Sequence, residues 1–127
     1  MRVRARAFDP QLIPPDLRPY LGQIFVVPGI EYDVHAVVAF QGMVHFLMVW
    51  DIDPPLPGWD PAWLFDVVDA SIPNDWICAS FHTEPQLLIG PEFIARGHQE
   101  YTDMVELVPW QVARFWKYVE SRRPQDI

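Results

Sequence analysis

The chain has a single cysteine, Cys78, among 127 residues, which excludes an intramolecular disulfide and any Cys-x-x-Cys redox or zinc motif. Positive charge is almost as scarce: all nine Lys and Arg residues lie in 1–18 and 96–123, and residues 19–95 hold ten carboxylates with no basic residue among them. A net charge of −8 argues against nucleic acid as a partner, because affinity for phosphates depends on Lys and Arg displacing condensed counterions. No Gly-rich phosphate loop and no Gly-x-Ser-x-Gly elbow occurs, so two common catalytic frameworks are missing. No window reaches the ~18 uninterrupted apolar residues of a membrane helix. The richest stretch, Val34 to Trp50, is broken by His35, Gln41, Gly42 and His45. The basic start, Met1 to Arg6, lacks the apolar run of a secretory signal behind it, and the expectation is a cytoplasmic, unanchored protein.

Half of the residues are apolar and 14% are aromatic, a composition that supports one hydrophobic core and a single domain over 1–127. Met1 to Phe8 alternates Arg2, Arg4 and Arg6 with Val3, Ala5 and Ala7, the period of a half-buried antiparallel strand. The arginines read as a solvated strand face, with a small anion site as the sharper alternative. Prolines 10, 14, 15 and 19 confine the next segment to turns and one helical turn near Asp16 to Tyr20, before a short strand from Gln23 to Val27. The pair Asp33 to Phe40 and Met43 to Trp50, joined by Gln41-Gly42, predicts a β-hairpin with a two-residue type I′ turn. Both of its faces are largely apolar, which places it centrally with cover on each side.

Prolines 54, 55, 57 and 61 predict that residues 51 to 63 form a stiff, acidic, aromatic loop and no regular structure. Short strands are expected at Leu64 to Val68, Ile77 to His82 and Leu87 to Ile89, followed by a turn or short helix from Gly90-Pro91 to near Gly97. Pro109 suits the first position of a closing helix, Trp110 to Arg122, with Trp110, Val112, Ala113, Trp116 and Val119 inward and Gln111, Arg114, Lys117 and Glu120 outward. The expected fold is therefore α+β and mainly β: residues 1–89 as a small antiparallel curled sheet or SH3-like barrel, closed by an amphipathic helix within 109–122.

Four histidines invite a search for a metal or a general base. Opposed residues of the hairpin sum to 83, so His35 is expected to share a face with Val37, Ala39, Phe46 and Met48, and His45 the other with Ala36, Val38 and Leu47. His82 and His98 stand near Glu84, Glu92, Glu100 and Asp103, an inventory that fits a metal-dependent hydrolase but lacks tight ligand spacing on one element. Cys78, flanked by Trp76, Ile77 and Ala79, reads as a buried, inert thiol.

The leading expectation is protein binding without catalysis and without a cofactor. Six tryptophans are a surplus, and Asp51, Asp53, Trp59, Asp60 and Trp63 bring carboxylates and aromatic anchors into one loop. Such a surface steers a basic protein partner in and holds it on desolvated rings. A homodimer formed through the apolar hairpin is the structural alternative.

Several short segments follow in a recognisable order: Leu64-Phe65-Asp66-Val67-Val68-Asp69, Ile72-Pro73-Asn74-Asp75-Trp76, Gly90-Pro91-Glu92-Phe93 and Gln99-Glu100-Tyr101-Thr102-Asp103, then an aromatic helix. With the earlier Gly22-Gln23-Ile24-Phe25-Val26-Val27, this order resembles a group of small bacterial proteins similar to accessory or immunity proteins of toxin systems. The resemblance implies a small SH3-like β domain with a closing helix and a toxin as the basic partner. It assigns no functional residues.

Overall fold

A computed structural model describes residues 1–7, Pro15 and 26–122. Strand β1 (Arg2–Ala5) pairs antiparallel with β2 (Glu31–Asp33) on one side and β6 (Phe65–Asp69) on the other, giving a three-stranded sheet. The period-two alternation holds: Val3 and Ala5 are buried while Arg2, Arg4 and Arg6 face out. Each guanidinium meets a carboxylate from a neighbouring strand, Asp33 at 3.2 Å, Glu31 at 3.2 Å and Asp66 at 2.9 Å respectively. Their charge is thus met locally and is not gathered into an anion site.

The expected hairpin is the centre of a second, five-stranded antiparallel sheet in the order β5-β4-β3-β8-β7. Strands β3 (Ala36–Phe40) and β4 (Met43–Trp50) pair Ala36 with Leu47 and Val38 with His45, the predicted register. Gln41 at φ 51° and Gly42 at φ 75° both take the left-handed conformation that a type I′ turn requires. Ala36, Val38 and Leu47 belong to one buried cluster, with Leu88 and the helices; Phe46 and Met48 belong to another, with Val3, Ala5 and Phe65. The five-stranded sheet is therefore the middle of three layers. Most of the hairpin's apolar residues are thus packed within the chain on one side or the other. The two sheets are not closed into a barrel, and the SH3-like alternative is not what forms.

Residues 51 to 63 depart most from expectation, for they contain β5 (Leu56–Pro61) and run into the 3-10 turn Ala62–Leu64. The strand tolerates two prolines because it lies at the sheet edge. Pro57 and Pro61 lie opposite Val49 and His45. Those odd-numbered positions of β4 hydrogen-bond toward β3, as the Phe40–Met43 hairpin closure and the Leu47 carbonyl's bond to His35 N–H show. The missing proline N–H groups thus fall where no ladder bond is needed.

Strands β6, β7 (Trp76–Ala79) and β8 (Leu87–Pro91) form where short strands were expected, with shifted ends. Cys78 is exposed rather than buried, because β7 is the other edge of the large sheet. The expected turn at Asp16 to Tyr20 and most of the expected strand from Gln23 to Val27 lie outside the described residues.

Three helices cover the remaining face. Helix α1 (Glu92–Ala95) is the short element expected after Gly90-Pro91, while α2 (His98–Val105) falls in a stretch for which no element was expected. Gly97 starts α2, Tyr101 and Met104 bury one stripe at spacing i, i+3, and Leu107 at φ 55° ends the segment. Helix α3 (Pro109–Ser121) begins on its proline as expected, but its inward face is rotated. Gln111 and Phe115 are wholly buried, whereas Trp110 is 59% exposed. Gln111 is inside because its Nε2 donates to the carbonyls of Phe93 at 2.8 Å and Glu100 at 3.0 Å, tying α3 to both preceding helices.

Candidate binding groove

Between the β5–β4–β3 end of the large sheet and α2 runs a groove of about 720 Å³, within the size range of ligand sites. Strand pairing sets one wall: Val38, His45 and Trp59 fall on the helix-facing side, His45 opposite Val38 and Trp59 opposite Leu47. Helix α2 sets the other with Tyr101, Met104 and Thr102. Trp59 and Tyr101 meet edge to face with centroids 5.6 Å apart, so the two walls join at an aromatic contact.

Polar groups mark the ends. His45 is half-buried, and desolvation pushes its imidazole below the ordinary range, only partly offset by the Met43 carbonyl 3.3 Å from Nδ1. Burial thus favours its neutral form. His98 Nε2 donates to the Glu84 carbonyl at 2.8 Å, which leaves Nδ1 as the acceptor facing the Thr102 hydroxyl at 3.4 Å. Glu84 accepts the Gln41 N–H through Oε2 at 3.1 Å. Burial raises the Tyr101 phenol above its usual range, and the Glu84 charge adds to the shift. The indole Nε1 of Trp59 is buried and has no hydrogen-bond partner among the described residues.

The five residues expected to make one acidic, aromatic surface are separated. Asp51, Asp53 and Trp63 are exposed, but Trp59 packs on Tyr101 and Asp60 is only 2% exposed. Asp60 points to the side of Phe46, opposite it in the ladder, and accepts the Trp50 Nε1–H at 2.8 Å. Desolvation pushes its carboxyl up to about 6, with the Trp50 bond opposing. Strand alternation explains the split, since neighbours on a strand face opposite ways.

The histidines do not gather either. His82 is exposed between β7 and β8, and both ring nitrogens of His98 have protein neighbours. Among the described residues no three His, Cys, Asp or Glu side chains are placed to hold a metal ion. His35 was expected beside Phe46 and Met48; its ring instead packs edge-on against Phe115 and Tyr118 of α3, at 5.4 and 6.1 Å. The break between β2 and β3 at Val34-His35 resets the alternation assumed for one continuous strand.

Charge is distributed unevenly over the surface. Glu31, Asp33, Asp66, Asp75 and Glu100 each pair with an arginine. Groove residues Glu84 and Glu106 take part in none of these pairs, and no Lys or Arg is among the described residues lining the groove. Sequence reasoning missed this site because it depends on β5, read as loop, and on α2, for which no element was expected. The Tyr101–Met104 spacing after Gly97 is the one signal that could have marked α2. No known protein family, curated protein or solved structure matches the chain.

Proposed function

We propose that this protein is a non-catalytic binding module that takes a segment of a basic protein partner into the groove between β5 and α2. The observation that carries this reading is the groove itself: about 720 Å³, walled by Trp59, Tyr101 and Met104, with Glu84 and Glu106 at its margin and no Lys or Arg among the described residues lining it. Aromatic walls supply desolvated contact area, and carboxylates of one sign accelerate encounter with a basic surface. The ten carboxylates without a basic residue in 19–95 extend that field beyond the groove. The resemblance to immunity proteins favours a toxin as the partner, and binding would then act by occlusion.

Three peptides of equal length, one basic and apolar, one acidic and apolar, one uncharged, test the reading by titration against the tryptophan fluorescence of the full chain. Tightest binding is expected for the basic peptide, weakening as salt shortens the Debye length from about 10 Å at 0.1 M to about 3 Å at 1 M. Equal affinity for the acidic peptide, or no binding by any of the three, would overturn it.

A further inference from the structure

Resting on that reading, we propose that the groove contains a subsite for one organic cation on an apolar stem, an arginine or lysine side chain of the partner segment, held by the Glu84 carboxylate against the aromatic wall of Tyr101 and Trp59. Three features of the site support it.

The carboxylate is fixed in place. Glu84 is half-buried, its Oε2 takes the Gln41 N–H at the hairpin turn, and its own carbonyl takes the His98 ring N–H. A carboxylate held at both its side chain and its backbone loses little freedom when a cation arrives.

The wall beside it is aromatic and rigid. Tyr101 is 9% exposed and is braced edge-on by Trp59 at 5.6 Å and by His98 at 6.4 Å. Phe81 in turn packs on His98 at 5.7 Å. Aromatic faces attract ammonium and guanidinium groups within about 6 Å of the ring centre, and more so where water is excluded. The apolar stem of such a side chain has Val38 and Met104 for company.

Among the described residues the Glu84 charge has no ion-pair partner. The described arginines with carboxylate partners are Arg2, Arg4, Arg6, Arg96 and Arg122, and none of those partners is Glu84 or Glu106. Arg114 and Lys117 lie on the exposed face of α3, Arg114 donating to Gln111 Oε1 at 3.4 Å. Among the described residues no Lys or Arg therefore serves Glu84.

The test is a ¹H–¹⁵N NMR titration of the full chain with Nα-acetyl-arginine amide, Nα-acetyl-lysine amide and the uncharged isostere Nα-acetyl-norleucine amide. Both cationic probes are expected to move the Gln41 amide and the Trp59 indole resonances, with norleucine at least about tenfold weaker. Glu84→Gln keeps an acceptor for the Gln41 N–H, removes the charge, and is expected to weaken both cationic probes about tenfold. Tyr101→Phe keeps the ring and should retain them, and Glu120→Gln, on α3, should change nothing. Norleucine binding as tightly as lysine, or Glu84→Gln leaving affinity unchanged in a folded protein, overturns the subsite. Butylammonium outcompeting the blocked amino acids overturns the assignment to a partner side chain. If the basic peptide binds the groove while the single-residue probes all behave alike, the binding module stands and the cation subsite falls. If no peptide binds, the binding module falls.

Discussion

The indole of Trp50 lies over Gly58 and donates its N–H to Asp60 Oδ2 at 2.8 Å, clasping the end of β4 to the edge strand β5. Asp60 is 2% exposed, and the single indole bond does not make up for lost water, so its carboxyl is pushed from 3.8 up to about 6. A carboxyl whose folded pKa exceeds its unfolded value favours folding below the unfolded pKa and loses that contribution as pH rises through the folded one. A shift of about two units at about 1.4 kcal/mol each makes the ionised Asp60 a cost of roughly 3 kcal/mol at pH 7. Asp60→Asn keeps an acceptor for Trp50 and carries no charge. It is expected to raise urea-unfolding stability by up to about 3 kcal/mol at pH 7 and by little near pH 4. A variant no more stable than the parent at pH 7 would sink this account.

His35 has the opposite linkage over the same range. Burial against Phe115 and Tyr118 pushes its imidazole from 6.5 down to about 4, with the Asp33 charge opposing and the chain's amino terminus adding to the fall. A depressed folded pKa gives stability that is present above the unfolded value and is lost as pH falls through the folded one. Between about pH 6.5 and 4 the His35 and Asp60 contributions therefore run against each other, each by about 3 kcal/mol. His35→Phe removes the histidine half. Its stability, measured by urea unfolding at several pH values, is expected to hold or rise on acidification over this window, where that of Asp60→Asn falls. Parallel pH profiles for the two variants would contradict the assignment.

Where the sequence and the structure agree, the information was local. Gln41-Gly42 set the hairpin turn and through it the register, Arg2 to Ala5 showed a clean period of two, and Pro109 marked the start of α3. The misses came from groups whose state is decided by distant partners. Pro57 and Pro61 read as strand breakers until β5 is known to be an edge, where their missing N–H groups cost nothing. Gln111 read as a surface residue, because the two carbonyls that draw it inward belong to α1 and α2. The candidate site needed both β5 and α2. Its residues, Glu84, Trp59 and Tyr101, are far apart in the chain and were noticed separately, as a metal inventory, a loop anchor and an acidic-aromatic stretch.

Gln111 supplies a prediction of its own. Its amide is wholly buried and donates to two carbonyls within the other helices, Phe93 of α1 and Glu100 of α2. Gln111→Leu fits the hydrophobicity of the core but leaves both carbonyls without that donor, at about 1–3 kcal/mol for each unsatisfied group. A loss of roughly 2 kcal/mol or more in urea unfolding is expected. Lys117→Ala, on the exposed face of the same helix, should stay within about 0.5 kcal/mol of the parent. Equal effects from the two would mean that the stitching of α3 to α1 and α2 is unimportant.

Gly58 on β5 and Gly42 in the β3–β4 turn separate two reasons for glycine. A Cβ at Gly58 would stand 1.8 Å from Trp50 Cε2 and 2.2 Å from its Nε1, so the indole has to leave its place and with it the bond to Asp60. At Gly42 a Cβ meets nothing within 4 Å, but φ is +75°, so the cost there is backbone strain alone. Gly42→Ala is expected to lose about 1–2 kcal/mol with unchanged tryptophan fluorescence. Gly58→Ala adds overpacking, about 1–3 kcal/mol, to the lost bond of a buried carboxylate, about 1.5–3 kcal/mol, and is expected to shift the fluorescence as Trp50 moves. Because Asp60 is then buried without its donor, the Gly58→Ala deficit should shrink as pH falls below about 6, where the carboxyl takes up a proton. A deficit independent of pH would show that crowding alone sets it and that the Trp50–Asp60 bond contributes nothing.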